Sequence, residues 1–289
     1  SDYKKIEESS PVNCGDEPLL LATKLPGIPV VVSENKPKAI QYTIDNFSPA
    51  IILLDDGFQS HGVNRDLDIV LLNASKKAGS FELFPLGSLR DFTSSIRKAN
   101  YIIFTKFQQQ IIINGTRRKT EDLMKITKKI PVYTAVSAFL GKQKILWSEY
   151  SSTLLEHDWN TNKLTQIKIT QKLKQSSCLA FCGIGDPDSF LADASFYFEN
   201  ISIFIPFKNH FDYRDFHTTF VLPTENLDDL LLKERHESVF ITTYKDYIKL
   251  LYFINLKTPT QPQIEQLFRP PRRLFVLDVV HDLTSNDIE

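Results

Sequence analysis

Two adjacent aspartates, Asp55 and Asp56, are the side chains of this sequence best placed to do chemistry. They follow the apolar run at residues 51–54 and precede Gly57. A buried parallel strand delivers its last side chains to the carboxyl edge of a sheet, where ligands collect, so the pattern predicts oxygen ligands for Mg²⁺ beside phosphates. An ordinary strand followed by a turn is the alternative, because Asp and Gly are common turn residues.

Asp16 and His210 are two further candidates for chemistry. Asp16 precedes Glu17 and Pro18, and proline is favoured in the first turn of a helix. Asp16 therefore either caps that helix, where a carboxylate accepts backbone N–H groups and interacts favourably with the helix dipole, or acts on a substrate. His210 follows a predicted strand; a lone loop histidine is commonly structural, but imidazole also accepts protons near neutral pH.

Gln59 and Arg90 are polar residues close to these motifs. Gln59 lies just beyond the two aspartates, where a solvated turn residue is the simplest interpretation. Arg90 ends a Gly-Ser-Leu-Arg segment, and its guanidinium group can hold an anion with two hydrogen bonds. A surface salt bridge with Asp91 or Asp66 is the competing explanation of Arg90.

The elements that must position these residues follow from the hydrophobic pattern. Apolar runs rich in β-formers alternate with helical periodicity, which predicts an α/β protein with a mostly parallel sheet flanked by helices on both faces. Strands are predicted over residues 28–32, 51–54, 67–72, 101–105, 131–136, 177–183, 201–205, 239–242 and 274–280. Helices are predicted over residues 37–47, from Thr120 through Ile130, and over residues 244–254.

The same pattern suggests a division into domains. Residues 1–140 are predicted to form the core domain, and the polar residues 141–174 a hairpin-like connector. Residues 175–272 would form a second, smaller α/β domain, and residues 273–289 would return to the core.

Composition narrows the class of protein. A chain of 289 residues that is 42% hydrophobic can bury a substantial core. Its 34 basic and 35 acidic residues nearly balance, which disfavours nucleic acid as a partner. The sequence contains no apolar run of the roughly 18 residues that would span a bilayer and no signal-peptide core at its start, so a cytosolic protein is expected. Three cysteines are too few for a disulfide framework and suggest free thiols.

Several blocks of sequence together resemble one family, the tetraacyldisaccharide 4'-kinases of lipid A biosynthesis. The resemblance covers nearly the whole chain. The blocks are Gly-Asp-Glu-Pro at 15–18, Asp-Asp-Gly-Phe-Gln at 55–59, Arg-Asp-Leu-Asp-Ile-Val at 65–70, Pro-Leu-Gly-Ser-Leu-Arg-Asp at 85–91, Gly-Ile-Gly-Asp-Pro at 183–187, Asn-His at 209–210 and Thr-Thr-Tyr-Lys-Asp at 242–246.

The resemblance implies a fold, a reaction and roles for individual residues. It implies a P-loop-NTPase-like sheet with a second domain, and transfer of the γ-phosphoryl group of ATP to the 4' hydroxyl of a tetraacyldisaccharide 1-phosphate, giving lipid IVA. Asp16 matches the aspartate that activates the sugar hydroxyl, and His210 matches its partner. We expect these two to meet across a cleft between the domains. Asp55 and Asp56 match the positions expected to hold Mg²⁺.

Substrate contacts and location are also implied by the resemblance. Glu17 is expected to support Asp16, while Gln59 and Arg90 are expected to contact the phosphate or the acceptor sugar. The cosubstrate would be ATP with Mg²⁺, and the acceptor a lipid disaccharide. The protein would be cytoplasmic and peripheral to the inner membrane of a Gram-negative bacterium, with no protein partner implied.

One departure from the family is large. The glycine-rich ATP-binding loop of these kinases should precede Gly15, and the pattern GxxxxGK[ST] is absent from this sequence. We therefore expect the chain to be a fragment whose nucleotide binding is incomplete. A non-catalytic homologue that binds the lipid but has lost nucleotide use is the alternative. An unrelated nucleotide enzyme is a third hypothesis, and a dinucleotide-binding dehydrogenase is disfavoured because no GxGxxG follows a strand.

Overall fold

A computed structural model describes most of the chain. The described residues are 14–60, 62–75, 91–106, 112–113, 116–117, 120–213, 239–255, 268, 270 and 272–283. The chain divides into two units. Unit 1 comprises Ser1–Ser33 and Ser152–Val279, and unit 2 comprises Glu34–Ser151 and Val280–Glu289.

Helices and strands alternate along much of the described sequence. The α-helices are α1 Asp16–Lys24, α2 Lys36–Phe47, α3 Thr120–Thr127, α4 Pro131–Val136, α5 Gln171–Lys174, α6 Pro187–Tyr197 and α7 Tyr244–Asn255. The strands are β1 Ile69–Asn73, β2 Tyr101–Thr105, β3 Ile112–Ile113, β4 Thr116–Arg117, β5 Lys144–Asp158, β6 Lys163–Gln166, β7 Ser177–Cys182, β8 Asn200–Pro206, β9 Val239–Thr243 and β10 Arg273–Leu283. Short 3₁₀ segments cover Thr93–Lys98 and Ser137–Phe139.

Unit 1 is built on parallel strands in the order β10-β9-β7-β8. Successive residues of a strand face opposite sides of its sheet, and β7 divides accordingly between two cores. Leu179 and Phe181 belong to the core that α7 covers, whereas Cys178 and Ala180 belong to the core on the other side. Helix α6 covers that second side. The predicted parallel sheet with helices on both faces is therefore confirmed in this unit.

Strands β5 and β6, in the middle of the sequence, form an antiparallel pair. Residues 155–158 of β5 pair with residues 163–166 of β6, which agrees with the hairpin-like pattern of residues 141–174. The division between the units falls inside β5, at Ser151 and Ser152, and again inside β10. It also groups Ser1–Ser33 with unit 1, whereas the sequence pattern grouped these residues with the core domain.

Unit 2 contains the parallel strands β1, β2 and the first part of β5. Its core includes Ile102 and Phe104 of β2 and Trp147 of β5, against which α3 and α4 pack. On the other face of β1, Ile69 is 48% and Leu71 64% exposed. Burial of both faces, which the alternation predicted, is therefore not seen at β1.

Three predicted strands are wrong. Residues 28–32 and 51–54 form no strand, and within the described residues no other segment pairs with them. Apolar β-formers make a strand only where a neighbour satisfies their backbone hydrogen bonds. Residues 131–136 form helix α4, because Pro131 lies at its start and Val132 and Val136, four residues apart, are buried on one side.

The remaining predicted elements are confirmed to within a few residues. The strands predicted from 67, 101, 177, 201, 239 and 274 are present, as are the helices predicted from Pro37, Thr120 and Tyr244. In the described part of the chain, no helix has the length and apolar content needed to cross a bilayer.

Candidate functional site

Asp16 is the first residue of helix α1, and its side chain does not cap that helix. The N-cap is Gly15, which has a φ of 86° and makes no side-chain capping hydrogen bond. Asp16 is therefore not the N-cap residue, although its carboxylate lies in the first turn of the helix and a backbone hydrogen bond is among the causes that lower its pKa. Its carboxylate is 12% exposed and faces three side chains from distant parts of the sequence, His210, Lys245 and Lys249.

His210 contacts both oxygens of the Asp16 carboxylate. Its Nδ1 atom lies 3.0 Å from Oδ1 and 3.1 Å from Oδ2. The residue follows β8 with a left-handed φ of 58°, and its backbone N–H donates to the carbonyl of Gly183 at 3.2 Å. Asp16 and His210 both belong to unit 1, so the contact lies within one unit and not across a cleft between domains as expected.

Two lysines of helix α7 complete the surroundings of Asp16. Lys245 and Lys249 are four residues apart and therefore lie on the same side of the helix. Their ammonium groups are 3.3 Å and 3.5 Å from Oδ2 of Asp16. Lys245 also donates to the carboxylate of Glu17 at 3.1 Å, so its ammonium group lies between the two acidic side chains.

The buried carboxylate of Asp246 anchors this arrangement. Its side chain is completely buried and lies 2.9 Å from the ammonium group of Lys249. Oδ2 of Asp246 accepts the backbone N–H of Gly183 at 2.8 Å and the hydroxyl of Thr243 at 2.7 Å. A Cβ atom at Gly183 would lie 2.9 Å from Cβ of Phe211, so this position has no room for a larger residue.

Electrostatics favour the ionised form of Asp16. Burial of the carboxyl group raises its pKa, but the charges of Lys245 and Lys249 and the hydrogen bond with His210 outweigh burial, and the pKa of Asp16 lies below its ordinary value. An ionised carboxylate that contacts an imidazole is an arrangement suited to accepting a proton from a bound hydroxyl group.

Asp55 and Asp56 lie in unit 2, in a turn that backbone contacts shape. Asp56 has a left-handed φ of 47°, and both aspartates are exposed. The ammonium group of Lys36 donates to the carbonyl of Asp56 at 2.5 Å. Gly57 is buried, and a Cβ atom there would lie 2.9 Å from the side chain of Leu54. The turn half of the sequence interpretation is confirmed, whereas the preceding strand is not.

Arg65 has a structural role beside this turn. Its guanidinium group donates to Asp68 at 2.6 Å and to the carbonyl of Ser60 at 2.6 Å.

The other predicted site residues lie in or near this turn of the sequence. Gln59 follows the two aspartates and is partly buried. Arg90 lies outside the described residues. Within the described residues, no group of three or more His, Cys, Asp or Glu side chains is arranged to hold a metal ion.

No role was predicted from the sequence for Lys245, Lys249 or Asp246, although Lys245 and Asp246 belong to the block at 242–246. The signal that was available is the pair of lysines four residues apart, one of which lies beside the apolar residue Leu250 on a helix that packs against the core.

Comparisons with known proteins identify a family that this chain resembles. The model of a family described as tetraacyldisaccharide-1-P 4'-kinase matches residues 3–272. A curated relative named tetraacyldisaccharide 4'-kinase, from Halothermothrix orenii, is 29% identical over 237 residues, which cover 81% of this chain and 57% of the relative. No solved structure matches this chain.

Two further relatives carry the same name. The protein of Aquifex aeolicus is 28% identical over 256 residues, which cover 89% of this chain and 66% of the relative. The protein of Chlamydia muridarum is 32% identical over 181 residues, which cover 61% of this chain and 41% of the relative. The chain thus spans from two fifths to two thirds of the length of these three relatives.

Proposed function

The chain belongs to the tetraacyldisaccharide-1-P 4'-kinase family, and from this premise we propose that its protein transfers the γ-phosphoryl group of ATP to the 4' hydroxyl of a tetraacyldisaccharide 1-phosphate. The product would be a lipid A precursor. The names of the relatives support the reaction, and the chemistry of unit 1 supports the activation of a hydroxyl group.

The contact between Asp16 and His210 is the observation that carries this proposal. Phosphoryl transfer needs an oriented acceptor hydroxyl and a group that accepts its proton. The 3.0 Å contact places an imidazole against a carboxylate that is already ionised, and general-base catalysis of this kind accelerates a reaction by typically 10²- to 10⁴-fold. Asp16 and His210 are thus the proposed catalytic residues.

Asp55 and Asp56 are the residues that we propose to hold Mg²⁺. Mg²⁺ keeps several waters and is usually held by one or two carboxylates together with substrate phosphates. Two adjacent, exposed carboxylates on a turn fit this requirement, because they leave room for the waters and the nucleotide. When bound, the ion would neutralise negative charge on the phosphates.

Glu17, Gln59 and Arg90 are proposed to contact the acceptor or the transferred phosphate. The pairing of Glu17 with Lys245 supports the first of these assignments, because it holds Glu17 beside Asp16. A lipid acceptor would bring the protein to the cytoplasmic surface of the inner membrane of a Gram-negative cell. We also propose a P-loop-NTPase-like nucleotide domain for the parallel strands of unit 2 and a smaller acceptor domain at residues 175–272.

The test is ATP- and Mg²⁺-dependent phosphorylation of tetraacyldisaccharide 1-phosphate by the protein made from its complete coding sequence. We expect phosphorylation by the wild type and a loss of at least 100-fold in Asp16→Asn. The control variant is Asp122→Asn, which changes an exposed aspartate of helix α3 and should retain full activity. A wild-type protein that binds the lipid but transfers no phosphate would contradict the proposal and indicate a binding protein instead.

A further inference from the structure

We propose that the buried carboxylate of Asp246 is a positioning residue that holds the loop of His210 in a strained backbone conformation. It does so through two chains of contacts, one that ends at the N–H of His210 and one that ends at the carbonyl of Phe211. The inference rests on the proposed function for the catalytic role of His210. It rests on the geometry of unit 1 for the two chains of contacts.

The backbone of His210 needs a restraint because it is strained. Its φ of 58° lies in the left-handed region, which residues with a Cβ atom rarely adopt and which persists only where the surrounding structure imposes it. The side chain of His210 is 55% exposed, so its burial does little to fix the residue. Apart from the contact with Asp16, the restraint therefore acts on the backbone of the loop.

The first chain of contacts runs through the backbone of Gly183. Oδ2 of Asp246 accepts the N–H of Gly183 at 2.8 Å, and the carbonyl of Gly183 accepts the N–H of His210 at 3.2 Å. The side-chain oxygen of Asn209 also accepts the His210 N–H, at 3.1 Å. A Cβ atom at Gly183 would lie 3.3 Å from the carbonyl of Lys208, so the two loops are in close contact. The position of Gly183 therefore helps to fix the peptide group that precedes His210.

The second chain of contacts runs through the ammonium group of Lys249. This group lies 2.9 Å from Oδ1 of Asp246 and donates to the carbonyl of Phe211 at 3.4 Å. The Lys249 side chain is only 8% exposed, and hydrogen bonds from an ionised donor are stronger than those between neutral groups. The residue that follows His210 is therefore tied to the same carboxylate as the peptide group that precedes it.

Asp246 is itself fixed at the start of helix α7. Its Oδ2 accepts the hydroxyl of Thr243 at 2.7 Å, and the hydroxyl oxygen of Thr243 accepts the backbone N–H of Asp246 at 3.1 Å. The second of these bonds is one half of a helix capping box, in which the later side chain usually reaches back to the backbone of the cap residue. The carboxylate of Asp246 extends instead to Gly183 in another loop. This connection goes beyond what capping the helix requires.

Hydrogen exchange of the chain itself, followed by amide NMR, tests the connection. Asp246→Ala removes both chains of contacts, so the amide hydrogens of Gly183 and His210 should exchange roughly 10-fold faster or more, relative to the amide of Phe240 in β9. Asp246→Asn keeps an oxygen for the Gly183 N–H but loses the ion pair with Lys249. It should give an intermediate ratio, and it provides the test if the alanine variant does not fold.

Leu250→Ala is the matched control for a general loss of stability. Leu250 lies on the same helix and is completely buried in the core of unit 1. Its truncation destabilises the unit by leaving a cavity, but its side chain takes part in neither chain of contacts. Exchange should therefore accelerate at His210 and at Phe240 in similar proportion. If the Asp246 variants show the same ratio of the two rates as Leu250→Ala, the positioning role is overturned.

Kinetics of the complete protein test whether Asp246 acts through His210. Asp246→Asn should lower kcat roughly 10- to 100-fold with little change in the KM for lipid, because a small misplacement of a catalytic group is costly. In a His210→Gln background the same substitution should have little further effect, since the imidazole that it positions is absent. The factor for Leu250→Ala should be the same in both backgrounds. An undiminished factor for Asp246→Asn in the His210→Gln background would contradict the inference.

The two experiments distinguish this inference from the proposed function. If the wild type transfers no phosphate, the proposed function fails, while the exchange rates still decide whether Asp246 holds the loop of His210. If the wild type transfers phosphate but the Asp246 variants show no selective exchange at Gly183 and His210, the function stands and the positioning role of Asp246 is overturned.

Discussion

The surroundings of Asp16 and the turn at Asp55 and Asp56 hold their carboxylates in opposite ways. Asp16 is largely buried and is fixed by side chains, two ammonium groups and an imidazole, and one of these ammonium groups, that of Lys249, is itself paired with the buried Asp246. Asp55 and Asp56 are exposed, and the contacts that shape their turn involve its backbone.

This difference shows how much of the side-chain geometry of each region is fixed in the protein without a bound ligand. A buried ionic network must be complete when the chain folds, since an unpaired buried charge is costly. An exposed pair of aspartates has no such requirement. The first region is therefore preorganised, whereas the second, on our proposal, would take its final geometry from an ion and a nucleotide.

The largest expected difference between the regions is in stability. Asp246→Ala removes the nearer of the two carboxylates that pair with the buried ammonium group of Lys249, and it should lower the free energy of unfolding by about 3–5 kcal/mol. Asp55→Ala removes an exposed side chain and should change the free energy of unfolding by less than about 0.5 kcal/mol. Urea titrations of the two variants measure both values. Equal effects would contradict the distinction between the two regions.

The glycines of the two regions should also differ. A methyl group at Gly183 meets Cβ of Phe211, Asp246 and a backbone carbonyl, so Gly183→Ala should cost about 1–3 kcal/mol and displace the loop that carries His210. At Gly57 a methyl group meets the Leu54 side chain at 2.9 Å and the Leu54 carbonyl at 3.0 Å, so Gly57→Ala should have a similar cost of about 1–3 kcal/mol but leave the loop of His210 in place. Urea titrations measure the two costs, and NMR signals of the His210 ring, which should move in Gly183→Ala only, test the difference between the regions.

A smaller effect is expected at Arg65 in unit 2. Arg65→Met removes the hydrogen bonds to Asp68 and to the carbonyl of Ser60 and should cost about 1–2 kcal/mol. Arg97→Met provides a control, because this exposed arginine stacks on the ring of Phe139 and such a contact contributes about 0.5–1 kcal/mol. If Arg97→Met loses as much stability as Arg65→Met, the hydrogen bonds of Arg65 do not have the structural role that we assign to them.

The smallest effect concerns pH. Because the pKa of Asp16 is lower in the folded protein than in the unfolded chain, its ionised form stabilises the fold above the unfolded value. This contribution is lost as the pH falls from 3.8 through the lower folded value. The difference in unfolding free energy between wild type and Asp16→Asn should be constant near neutral pH and shrink below 3.8. A difference that grows on acidification would show that the shift has the opposite sign.

Much of the fold was predictable from hydrophobic periodicity, and the failures have physical reasons. The strand at Tyr101–Thr105 and the helix at Lys36–Phe47 follow local patterns that their packing reinforces. Residues 51–54 have the same apolar character as a strand, but pairing depends on a partner that local sequence does not reveal. In α4 the proline at the helix start and the burial of two valines four residues apart prevail over the β-propensity of Val132 and Val136.

The pairing of Asp16 with His210 was predictable from the resemblance, whereas the lysines around Asp16 were not. The spacing of 194 residues between Asp16 and His210 gave no reason by itself to pair them. Lys249 follows Asp246 by three residues, a spacing shared by many surface ion pairs such as Lys125 with Asp122. The two pairs differ in the burial of both their members, and burial is a property of the packed structure.

A double-mutant cycle on kcat of the complete protein tests the central claim, that Asp16 and His210 act as one unit in phosphate transfer. Asp16→Asn, His210→Gln and the double variant should each lower kcat by a similar factor, because loss of either member disables the pair. If the factor for the double variant equals the product of the two single factors, the residues act independently and the claim is contradicted.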